Sequence, residues 1–112
     1  MKVQNIISDQ GNIIPNQFII THDETKPYFK RKVTFQSYES TICEIDFETH
    51  IVRIGRDWNY SPTTFKYFRK FITTSDGCSC LVSLNNRKAI QKAIDDGKHA
   101  FWKIVFIDKQ NF

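Results

Sequence analysis

The chain is short of nearly everything that marks a specialised class of protein. It has 4 Gly and 3 Pro in 112 residues, too few for a fibrous or low-complexity chain. Its cysteines, Cys43, Cys78 and Cys80, are odd in number and have no secretory context, so they do not form a disulfide framework. Cys78 and Cys80 also lack the wider spacing and second matched pair of a zinc site, and His22, His50 and His99 are distant in sequence. These cysteines are expected to be small apolar fillers, with no metal bound. No apolar run approaches the ~20 residues of a membrane span. The start, MKVQNIISDQGN, turns polar too early for a secretory leader. No membrane contact and a cytoplasmic location are expected. Nucleophile-elbow, phosphate-loop, zinc-protease and dinucleotide motifs are absent too. Glu44, Asp46 and Glu48 share one face of a strand, and one strand supplies too few ligands for a nuclease-type metal site. The expectation is a non-enzymatic protein without a cofactor.

What is present points to a single globular domain spanning residues 1–112. The chain is 40% hydrophobic and holds 10 Phe, which disordered chains lack. Its net charge of +4 lies wholly in one half. Residues 1–56 carry seven Lys/Arg against seven Asp/Glu, whereas residues 57–112 carry nine against five. A basic half suits an acidic partner, either nucleic acid or protein, and also serves ordinary solubility.

The first half reads as β structure. Val3–Ile7 and Gln17–Thr21 flank the turn-forming Ser8–Asn12 and Pro15-Asn16. Tyr28–Phe35 alternates, placing Phe29, Arg31, Val33 and Phe35 on one face of a strand. Arg31 on an apolar face implies an edge position or an ion pair. Thr41–Phe47 and His50–Ile54 form a hairpin whose Glu48-Thr49 link is weak two-residue turn chemistry, and Gly55 ends it. Ser61 as N-cap, Pro62 at the first position and a Tyr60–Phe65 staple open a helix from Pro62 to about Thr73. Cys78–Leu84 then reads as a strand. Asn86 caps a helix over Arg87–Asp95 that closes at Gly97, and Ala100–Ile107 is a central strand, apolar on both faces. Strands first and helices late give an α+β fold, with a mainly antiparallel sheet of six to seven strands and two helices on one face.

The stretch Arg56–Phe71, RDWNYSPTTFKYFRKF, concentrates the candidate binding residues. At about 100° per residue its aromatics separate from Lys66, Arg69 and Lys70, which form an exposed basic stripe. Trp58 and Tyr60 stand in the preceding loop, either folded on the core or exposed as interaction anchors with Arg56. In the second helix, Arg87 and Lys88 oppose the macrodipole, a pattern open to an anion site or to plain tolerance at an exposed end.

Ser37–Asp46, SYESTICEID, followed by Trp58–Ile72, WNYSPTTFKYFRKFI, resembles small proteins of phages and mobile elements. They carry an S-Y-x-S-x-I segment before a W-x-Y-S-x-T-T-x-K-Y helix start. The resemblance covers about residues 35–72 and implies a binding factor, including counter-defence inhibitors of the anti-CRISPR kind acting in the bacterial host. The expected partner is a host protein or ribonucleoprotein complex, met through Arg56, Trp58, Tyr60, Lys66, Arg69, Lys70, Arg87 and Lys88. The alternatives are a nucleic-acid-binding accessory protein using the same cations and a virion or assembly component. The chain itself would be a monomer or homodimer.

Overall fold

The computed structural model describes residues 1–76 and 80–112. Five strands come first: β1 (Lys2–Ile7), β2 (Ile13–Thr21), β3 (Lys32–Ser37), β4 (Ser40–Asp46) and β5 (Ile51–Gly55). Helices α1 (Pro62–Thr74) and α2 (Arg87–Asp96) follow, then β6 (Lys98–His99) and β7 (Trp102–Ile107). The seven strands make one sheet in the order β1-β2-β3-β4-β5-β7-β6. Pairing is antiparallel except between β5 and β7, which run parallel because the chain crosses over through both helices between them. The expected α+β class, with a mainly antiparallel sheet and two helices on one face, is the fold observed.

The sheet face under the helices carries the core. Phe35 of β3 stacks on Phe71 of α1 at 5.7 Å between ring centres. Cys43, Ile45, Val52, Ile54 and Ile104 continue that apolar face across β4, β5 and β7. Burial pushes the Cys43 thiol well above its ordinary range, and the neighbouring Glu44 carboxylate adds to the shift. The sign follows directly. The unfolded thiol ionises near 9.0 while the folded one holds its proton, so stability present below that pH is lost as pH rises above it. Cys43→Ala should flatten the alkaline limb of a plot of melting temperature against pH. An unchanged limb in the variant would refute the assignment.

Helix starts follow the sequence closely. The Ser61 hydroxyl accepts the Thr64 N–H at 3.1 Å, and Asn86 Oδ1 accepts that of Ala89 at 2.8 Å. Gly97 closes α2 at φ 71°, where its N–H reaches the carbonyls of Ala93 and Ile94. Thr64, placed where a full capping box would have Glu, turns its hydroxyl to Ser37 of β3 at 3.0 Å instead. The cap therefore also ties α1 to the sheet. Ser61→Ala should cost about 1 kcal/mol, and on the order of 5 °C in Tm by calorimetry.

Other expectations are corrected. The Tyr60–Phe65 staple is not made: Tyr60 is 79% exposed, and Trp58 takes its place against Phe65. Tyr28–Lys30 is a 3₁₀ turn, with Phe29 exposed, and β3 begins only at Lys32. Arg31 precedes β3, where its carbonyl accepts the Phe47 N–H at 2.9 Å, and its guanidinium caps the carbonyls of Glu24 and Lys26. β2 begins at Ile13 and runs through Pro15-Asn16. The β1–β2 register breaks between Asn5 and Ile7, which leaves room for a residue without an N–H. Part of the Cys78–Leu84 strand falls outside the described residues, and Leu81–Ser83 is a 3₁₀ turn that buries Leu81. β7 lies near the rim rather than centrally, because β6 pairs only with Trp102 and Lys103 beyond it. Alternation reports which faces are apolar and says nothing about how many strands lie outside.

Candidate functional site

α1 carries the charged face expected of it, and tertiary structure makes a groove of that face. Lys66, Tyr67, Arg69, Lys70, Thr73 and Thr74 line a cavity of about 570 Å³. The β1–β2 turn supplies Ser8, Asp9 and Gln10 to it, and the Leu81–Ser83 3₁₀ turn with the segment after it supplies Val82 and Asn85. The stripe is thus floored by one helix and flanked by two connections remote in sequence. None of these flanking residues is signalled by the sequence, since a polar turn and an isolated valine carry no marker of what they will face.

The three cations are not equivalent. Lys70 Nζ donates to the Ile7 carbonyl at 2.7 Å and to the Asp9 carboxylate at 3.2 Å. It pins the β1–β2 turn against α1. Lys66 Nζ lies 5.4 Å from the centre of the Tyr67 ring, a cation–π contact within one helical turn. Arg69 is exposed along the same wall. Tyr67, expected in the core with the other aromatics, is only half-buried and faces the groove.

The remaining candidates lie elsewhere. Trp58 is corrected outright: at 6% exposure it is core, edge-on to Phe65 and Phe68, and cannot anchor a partner. Arg56 and Tyr60 line a second, smaller recess of about 340 Å³ with Ser40, Asp57 and Gln110. There Arg56 pairs loosely with Asp57 at 3.9 Å. Arg87 is engaged within the chain. Its guanidinium covers the Phe65 ring at 4.1 Å and its Nε donates to Asn59 at 2.6 Å, bracing α2 against the loop before α1. Lys88 is exposed on α2. At the other end of that helix Lys92 bonds Asp96 at 2.8 Å, which raises the lysine pKa and answers part of the macrodipole mismatch.

One side-chain pair has the look of catalysis. Ser83 Oγ lies 2.7 Å from His99 Nε2, as a nucleophile lies from its base. The same nitrogen lies 3.0 Å from the Cys80 carbonyl oxygen, to which Ser83 Oγ also donates at 3.1 Å, so the three groups form one local cluster. Among the described residues, no three of the types His, Cys, Asp and Glu come together as a metal site, and no helix is long and apolar enough to cross a membrane.

The chain belongs to the family of unknown function DUF8033, whose model matches residues 1–94. The match takes in every residue lining the groove and ends within α2, before β6 and β7. No curated protein and no solved structure matches the chain.

Proposed function

We propose that this DUF8033 member acts by binding, as a non-enzymatic interaction protein of phage or mobile-element origin that inhibits a host nuclease or defence complex. The observation that carries the reading is the groove over α1, where three cations meet a single carboxylate in a cavity of about 570 Å³. Such a groove complements an anionic protein surface. The resemblance of Ser37–Asp46 and Trp58–Ile72 to phage proteins supplies the counter-defence setting, in the cytoplasm of a bacterial host. Partner capture from host lysate by wild type and by Lys66→Glu/Arg69→Glu tests it. Lys70 is left intact because it holds the β1–β2 turn. The double variant should keep its melting temperature and lose the captured nuclease subunit at least tenfold by quantitative mass spectrometry. Undiminished capture would remove the groove from the function.

A nucleic-acid-binding accessory protein is the second reading. It draws on the exposed Tyr60 ring beside Arg56, since an aromatic face with a neighbouring cation is what an unstacked base requires. Affinity for a dT or rU oligomer should then fall steeply with salt as counterions are released. The absence of binding at low salt would end that reading.

A further inference from the structure

The groove contains a carboxylate that the hydrogen bonds within its own turn do not use. Asp9 sits at the tip of the β1–β2 turn, with its side chain 92% exposed. The turn is held without it: Ser8 N–H reaches the Asn12 carbonyl at 2.8 Å, Gly11 N–H reaches the Ser8 carbonyl at 2.9 Å, and Asn12 N–H reaches Ser8 Oγ at 3.1 Å. Gly11 supplies the left-handed corner at φ 84°. What the Asp9 carboxylate does instead is accept a bond from Lys70 Nζ at 3.2 Å. That ammonium has three N–H donors, of which Ile7 O and Asp9 Oδ1 take two.

We propose that Asp9 is an internal stand-in for an acidic ligand, and that the groove over α1 binds a short acidic peptide segment of a protein partner in competition with it. The proposal rests on the binding role assigned to the groove above and deepens it. Lys66 to Thr73 is a rise of about 11 Å at ~1.5 Å per residue, the length of roughly three residues of extended peptide. Along that length Lys66, Arg69 and the third N–H of Lys70 offer charge, while Tyr67 and the exposed Val82 offer apolar contact. An acidic segment with interspersed apolar side chains matches both. A nucleic-acid strand matches less well: its backbone affinity grows with the number of phosphates neutralised, and three cations neutralise few.

The test is fluorescence anisotropy with a labelled hexapeptide of alternating Glu and Leu, against the same peptide with Gln for Glu. Wild type should bind the Glu peptide and not the Gln peptide, and Lys66→Glu/Arg69→Glu should abolish binding. Asp9→Asn should tighten it by about two- to fivefold, the range of an exposed ion pair released from competition. Equal or weaker binding by Asp9→Asn would overturn the stand-in role. Equal binding of the Gln peptide would overturn the acidic ligand, as would displacement of the Glu peptide by an equimolar dT oligomer. Because protein and peptide are purified, the outcome does not depend on whether a host nuclease is the partner. Capture from lysate can fail while peptide binding holds, and the reverse.

Discussion

Trp58→Ala should lower the melting temperature by on the order of 20 °C, although the residue stands in the loop before α1. The indole is 6% exposed and lies edge-on to Phe65 at 6.1 Å and to Phe68 at 6.2 Å. Truncating a buried Trp removes its transfer free energy and leaves a cavity, together about 3–5 kcal/mol. The neighbours cannot close that cavity readily. Phe65 is also held by the Arg87 guanidinium at 4.1 Å, and Phe68 is fully buried. Trp58→Phe keeps part of the ring contact and should cost well under half as much. Calorimetry of the three proteins separates this from a role as an interaction anchor, in which Trp58→Ala would leave the melting temperature intact and weaken partner binding alone.

Gly55→Ala is the second large effect, about 2–3 kcal/mol, read as a drop in Tm of on the order of 10 °C. A Cβ at Gly55 would stand 2.5 Å from the Thr41 carbonyl oxygen and 3.0 Å from the Phe112 ring. The Phe112 contact is with a side chain that is 39% exposed and can swing away. The Thr41 carbonyl is backbone in β4, and Thr41 N–H is itself bonded to the Gln110 carbonyl at 3.1 Å. The clash must therefore be met by moving a strand. Phe112→Ala in the Gly55→Ala background should recover only a minor part of the loss, since it relieves the softer contact. Full recovery would show that the ring, not the carbonyl, is what the missing Cβ accommodates.

Gly55 also shows where reading the sequence stops. Its position after an apolar run marks the end of a strand, as observed. Its actual requirement comes from Thr41 and Phe112, which no local pattern connects to it. The same division runs through the candidate site. Capping chemistry at Ser61, Asn86 and Gly97 is legible because each cap bonds its own helix within a few residues. The split of α1 into an apolar and a basic face is legible because helical periodicity decides it. The two aromatics before the helix, Trp58 and Tyr60, could not be told apart on composition. One is core and the other solvent-exposed, a choice made by which of them the loop points at Phe65 and Phe68.

Local sequence thus determined the strands of the first half in outline, both helices with their caps, and the α+β class, because these depend on contacts between near neighbours. Tertiary structure alone decided that β7 joins β5 in parallel, that Arg87 braces Phe65, and that the basic stripe becomes a groove facing Asp9. Those outcomes rest on contacts between residues tens of positions apart, 61 in the case of Lys70 and Asp9. Such contacts form only when the chain closes on itself, where loop geometry and packing, not periodicity, choose the partner.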